Sequence, residues 1–228
     1  MMTAFLLLTL FGSDEKEADE AIARFKTAYR NPSAPARVAA VAELSRTRHE
    51  KVLKQLAVLL TGDAAIVRAE AAKGLGTFVD FKKHATPLLI AGLGGPNSKE
   101  PDVQAAIYEA LGALDDDAAL PTIHKGFEEK DSKVAKGALA AAGMIRHVSS
   151  IDLIVDLMKK LEKFNEASSG GGGLGNFGGG NDPNKKRAKE VLPACIKALQ
   201  AITKEKWSTS KEWEIWWERR KATFKIEN

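Results

Sequence analysis

Four histidines, one cysteine, a run of aspartates and a glycine pattern are the side chains with chemistry to offer in this 228-residue chain. His49, His84, His124 and His147 could ligate a metal or move protons, since an imidazole titrates near neutrality. Ligands on one helix recur three or four residues apart, and no two of these histidines do. They read as polar residues at helix ends or in a groove. Asp115-Asp116-Asp117 could hold a cation, but the remaining oxygen ligands are not evident, and a helix cap accounts for the run. Gly173-Leu174-Gly175-Asn176-Phe177-Gly178 matches G-x-G-x-x-G. A dinucleotide site needs a strand before that pattern and a helix directly after it. Here a charged stretch precedes and more glycine follows, so the pattern reads as linker, with Leu174 and Phe177 as a weaker reading as a docking motif. The single Cys195 excludes an internal disulfide and any multi-cysteine metal site. No G-x-S-x-G frame appears. These residues imply no cofactor and no catalytic site.

The tryptophans are more concentrated. Trp207, Trp213, Trp216 and Trp217 are all four of them. Trp213, Trp216 and Trp217 share a helical face with Arg220 and Phe224. That face reads as a cap over the open end of a stack, with an exposed aromatic anchor for a partner as the rival. Lys185-Lys186-Arg187 and Arg219-Arg220-Lys221 are interleaved with acids, which suits a solvated mixed face better than a nucleic-acid surface. The totals agree: 34 basic against 30 acidic residues leave a net charge of only +4.

A repeated frame must position these side chains. Val67, Ala71, Ala72 and Leu75 are followed by Gly76, and the same spacing gives Val103, Ile107, Tyr108, Leu111 and Gly112. It recurs as Val134, Ala138, Leu139, Ala142 and Gly143. Each is one apolar helix face with a glycine expected as the stop. Weaker copies start at Ala36 and Val191. The first four copies are separated by 31, 36 and 31 residues, room for two short helices and their turns. The second helices repeat as well: Pro87-Leu88-Leu89-Ile90-Ala91-Gly92-Leu93 matches Pro121-Thr122-Ile123-His124-Lys125-Gly126-Phe127. Each proline is expected in a first turn, where its missing N–H costs nothing. Asp63 is expected as an N-cap, repeat four starts at Asp131, and Thr209 with Glu212 is expected as a capping box.

The expected organisation is residues 1–12 as a candidate signal segment or apolar tail, 13–31 an N-terminal helix and 32–167 the repeats. A Gly-rich flexible loop, 168–184, interrupts the array. Residues 185–228 supply the last repeat helix and the Trp-rich cap. The apolar run Ala4–Phe11 is too short to span a bilayer and resembles the core of an export signal, though no Lys or Arg precedes it; export is favoured slightly over a cytoplasmic location.

From about Pro35 to Thr203 these residues resemble the HEAT-repeat (armadillo-type) family, especially the short repeats of many bacterial proteins. Val67-Arg68, Val103-Gln104 and Val134, with Asp63, Asp102 and Asp131 ahead of them, carry the resemblance. It implies an all-α fold, a right-handed α-solenoid of about five HEAT-like helix pairs with a C-terminal capping helix. Some HEAT-repeat hydroxylases hold iron through several His-Glu pairs; this chain has only His49-Glu50. The function implied is a non-catalytic, monomeric scaffold that binds another protein in a concave groove lined by the second helices. The polar residues of those helices are the candidate groove: Lys51, Lys54, Lys83, His84, His124, Lys125, Asp152 and Asp156. Trp213, Trp216 and Trp217 are the candidate aromatic anchor. The alternative is nucleic-acid binding through the same lysines, and a third reading is an accessory or lyase-like subunit.

Overall fold

The computed structural model describes residues 2–166 and 182–226, with side chains from residue 14 onward except that of Glu166. Among these residues the chain forms eleven α-helices and no strand. It divides into two compact units at Leu114/Asp115.

The first unit holds α1 (Met2–Ala28), α2 (Ala34–Leu44), α3 (Glu50–Gly62), α4 (Ala65–Gly76), α5 (Lys82–Gly92) and α6 (Pro101–Leu114). Helices α2, α4 and α6 stack as one layer and α3 and α5 as a second, with α1 against α2 and α3. Each second-layer helix also packs on the first-layer helix that follows it, α3 on α4 and α5 on α6. Helix α1 is continuous through residues 12 and 13, where the sequence suggested a division. No helix among the described residues is long and apolar enough to cross a membrane.

The second unit holds α7 (Leu120–Gly126), α8 (Ser132–Ile145), α9 (Ser149–Glu166), α10 (Pro183–Thr203) and α11 (Ser210–Arg220). It repeats the plan. Helix α7 packs on α8, α9 on α10, α8 on α10, and α11 on α9. The expected Gly-rich loop, 168–184, lies mostly outside the described residues, including Gly173–Gly178. Asp182 caps α10 by accepting from the Asn184 N–H at 2.9 Å.

The repeated apolar frame is the core. Val67, Ala71, Ala72, Leu75, Val103, Ile107, Leu111, Val134, Leu139 and Ala142 are all buried, as are Val191, Cys195 and Leu199 of the weaker copy. Burying such side chains removes apolar surface from water at roughly 25 cal/mol per Å² and is the main drive for stacking.

The glycines serve another purpose than the one their spacing suggested. Gly112 lies two residues inside α6 and Gly143 two residues inside α8. Those helices end instead at Asp115 and Arg146, non-glycine residues with φ of 50° and 55°. Glycine is needed where helices touch. A Cβ on Gly76 would stand 2.7 Å from Ala110 Cα, and one on Gly143 3.3 Å from Ala198 Cα. Missing side chains let α4 approach α6, and α8 approach α10, backbone to backbone.

Two other local expectations are corrected. Pro87 falls inside α5, because a 3-10 turn at Val79–Phe81 leads straight into the helix and starts it early; Pro121 does occupy the first turn of α7. Asp63 does not cap α4, whose N-cap is Ala64. Its half-buried carboxylate takes the Arg37 guanidinium at 2.7 and 2.8 Å, the Tyr29 hydroxyl and the Ala64 N–H, and the charge-assisted pair with the guanidinium is the strongest of these. Asp131 caps α8, accepting from the Lys133 and Val134 amides. Thr209 and Glu212 form the expected capping box.

Candidate functional site

Three of the candidate groove residues meet in the second unit. His124 and Lys125 on α7 and Asp156 on α9 line a groove of about 530 Å³. Phe127 and Leu153 give it an apolar floor, and Glu128, Lys159, Lys160 and Lys163 complete its rim. The helical frame explains the arrangement. Leu120 and Ile123 turn inward to the core of α7, which leaves Lys125 outward. On α9, Ile154, Val155, Leu157 and Met158 are buried, which leaves Leu153 and Asp156 on the opposite face. Leu153 is 44% exposed, and Phe164, three turns further along the same face, is 40% exposed.

The rim is partly self-neutralised. Lys160 pairs with Glu128 at 2.7 Å, and Lys159 with Asp156 at 3.5 Å and Glu214 at 2.5 Å. The acids Asp156 and Glu214 hold the Lys159 ammonium above its usual range, chiefly through the Glu214 hydrogen bond. Among the described residues Lys125 and Lys163 have no carboxylate partner. The groove is therefore an apolar strip with a few free cations.

His124 is placed for structure. Its Nε2 lies 2.9 Å from the Ser150 hydroxyl, and its ring packs on Phe127 with centroids 5.5 Å apart. Burial, with a smaller push from His147, holds the imidazole below its usual range. A serine beside a neutral histidine is the start of a nucleophilic pair. Here Ser150 is fully buried in the first turn of α9, where an attacking oxygen has no room for a substrate. The contact ties α7 to α9. Sequence spacing had no means of finding it, because the partners sit on different helices 26 positions apart.

The other candidates are dispersed. Lys51 on α3 pairs with Glu15 and Asp19 of α1 at 2.9 and 2.8 Å. Lys54 pairs with Glu50, whose carboxyl it lowers, with His84 of α5 contributing at longer range. Lys83 and His84 are exposed on α5. Asp152 of α9 turns toward the Trp helix, accepting from Trp217 Nε1 at 2.7 Å and from Lys221 Nζ at 2.9 Å. No group of three or more metal-ligating residues occurs among the described residues.

The aromatic candidates separate by burial. Trp213 is fully buried and Trp217 is 3% exposed, both on the side of α11 that faces α9. Ser210 donates through its N–H and hydroxyl to Glu162 of α9, which fixes the start of α11. Trp216 is only half-buried; its ring stacks on Trp217, meets Trp213 and Phe224 edge-on, and donates through Nε1 to Glu205 at 3.1 Å. Trp213 and Trp217 are thus the cap, and Trp216 presents the surface. Cys195 is buried in α10, where loss of solvation pushes its thiol up to about 12.

A search of the curated proteins finds no match to the chain. A family model for HEAT repeats matches residues 86–164, the stretch that runs from within α5 through α9 and includes both walls of the groove. Residues 86–164 thus match HEAT repeats, and the described residues form an all-α helical repeat whose apolar frames recur in register and whose helices stack in two layers within each unit.

Proposed function

We propose that the chain is a non-catalytic interaction scaffold and that another protein docks in the groove between α7 and α9. The single observation that carries this reading is Leu153. It is a large apolar side chain left nearly half exposed on a helix whose opposite face is fully packed, and it floors a groove rimmed by lysines. An apolar strip with a polar rim is the usual build of a protein-binding surface. An open groove of this kind does not enclose a small substrate as an active site does. Partner-neutralised Lys159 and Lys160 suit a protein better than a phosphate backbone, which needs its cations free. HEAT repeats typically mediate contacts with other macromolecules, which agrees with this assignment.

The test is a photo-crosslinking amino acid at position 153 in the full chain, expressed in its own cell. A discrete adduct should form that is lost when Lys125→Glu and Lys163→Glu are added, and a probe at Glu43 on α2 should give none. Equal adducts at both positions, or none at 153, or an adduct with nucleic acid, would remove the assignment.

A further inference from the structure

The groove of α7 and α9 leaves the half-buried Trp216 unused, and the surface around it has a different character. On one side of its ring lies a cleft of about 440 Å³, bounded by the end of α10, by α11 and by the segment after it. Trp216 and Phe224 form its apolar wall, with ring centroids 5.4 Å apart. Lys204, Arg220 and Lys225 also line it, and none of the three has an ion-pair partner among the described residues. Among the described residues the only carboxylate in this cleft's lining is Glu205, and it already accepts the Trp216 indole N–H. On the other side of Trp216 is an apolar notch of about 250 Å³ between Trp207 and Ile215, both well exposed, with Glu212 at its edge. Trp216 and Arg220 belong to both hollows.

The geometry points to a second, separate binding site here, for an extended acidic peptide carrying a bulky apolar side chain. The apolar side chain fills the notch against Trp207, Ile215 and Trp216. Flanking carboxylates reach Arg220 and then Lys204 or Lys225. In an extended strand alternate side chains share one face about 7 Å apart, and the two hollows adjoin through Trp216 and Arg220. The charge balance selects this ligand. Across both hollows four cations, Lys204, Arg219, Arg220 and Lys225, stand against two carboxylates, Glu205 and Glu212, that are already engaged, which favours an anion, and Arg220 can take a carboxylate through two donors. A nucleic acid would stack on Trp216 equally well, but its continuous phosphate backbone would have to cross Glu205 and Glu212. A peptide places charge only where the cations stand. The sequence offered an aromatic anchor on this helix as the rival to a cap; of its three tryptophans only Trp216 is half-exposed, and the basic residues beside it make the other half of the proposed site.

The experiment uses the full chain and a fluorescein-labelled peptide in which one phenylalanine is flanked by two glutamates on each side, followed by fluorescence anisotropy. Saturable binding is expected, at least tenfold weaker for the glutamine analogue and weaker as salt is raised. Arg220→Glu should weaken it at least tenfold, and Lys204→Ala with Lys225→Ala should do so without touching α11, with far-UV circular dichroism unchanged in both variants. Lys125→Glu and Lys163→Glu, in the other groove, should leave it unaltered. Equal affinity for the glutamine analogue, retention of binding in both variants, or displacement by a single-stranded oligonucleotide at lower concentration than by unlabelled peptide would each overturn the assignment.

Discussion

Trp217 donates its indole N–H to Asp152 at 2.7 Å, joining the helix that closes the second unit to the helix that walls its groove. Lys221 reaches the other oxygen of the same carboxylate at 2.9 Å. One acid therefore holds two residues of the terminal segment, while Trp213 beside them is buried outright. A hydrogen bond to a charged acceptor is worth about 1.5–3 kcal/mol, so Trp217→Phe should lower stability by that amount, as read from a shift in urea midpoint at constant slope. Trp213→Ala should cost more, about 3–5 kcal/mol, as a large core aromatic does. Trp216→Phe should cost less than either. If all three substitutions have the same small effect, α11 is not a cap.

Gly76 faces Ala110 so closely that even a methyl group has no room. In an exposed helix Gly→Ala stabilises by about 1 kcal/mol. At Gly76 the clash with a backbone atom at 2.7 Å should reverse the sign, costing about 1–3 kcal/mol from overpacking. Gly62 is the control, since nothing lies within 4 Å of a Cβ placed there, and Gly62→Ala should be neutral or slightly stabilising. Thermal melts of the two variants decide it: Gly76→Ala falls below wild type, and a rise at both positions would show that α4 and α6 can move apart freely.

Asp63 binds Arg37 and Tyr29 together, and the two titrations run in opposite directions. The Arg37 guanidinium, then the Tyr29 hydroxyl and the Ala64 amide, hold the Asp63 carboxyl well below the usual carboxylate range. A lowered folded pKa contributes stability above the unfolded value of 3.8, lost as pH falls below it. Burial, then the adjoining Asp63, pushes the Tyr29 phenol from 10.0 up to about 12. A raised folded pKa contributes stability that is present below pH 10 and lost as pH rises toward 12. Tyrosinate absorbance at rising pH should show Tyr29 titrating about two units late, and Tyr29→Phe should remove that phase. Asp63→Asn should flatten the acid limb of the stability profile below pH 4. An unchanged acid limb would mean that other carboxylates govern it.

The helices and their buried faces were legible in the sequence because both are local. A helix repeats every 3.6 residues, so Val67, Ala71, Ala72 and Leu75 declare one face whatever surrounds them. The same holds for the Thr209–Glu212 box, whose partners lie within three residues. The HEAT-like repeat was legible for the same reason, and residues 86–164 match a HEAT-repeat model. The roles of single residues depended on contacts between helices, and only the tertiary structure decided those. Gly76 looks like a helix stop from its own neighbours, yet its reason is Ala110, 34 positions away. Asp63 looks like a cap but is claimed by Arg37, and Asp152 looks like a groove residue but is claimed by Trp217. Of the eight groove candidates, stacking brought His124, Lys125 and Asp156 to one groove, while Lys51 and Lys54 went to ion pairs with nearby acids. Periodicity determines which side of a helix faces inward; which helix it meets there, and which polar group finds a partner across the gap, is set by how the helices stack.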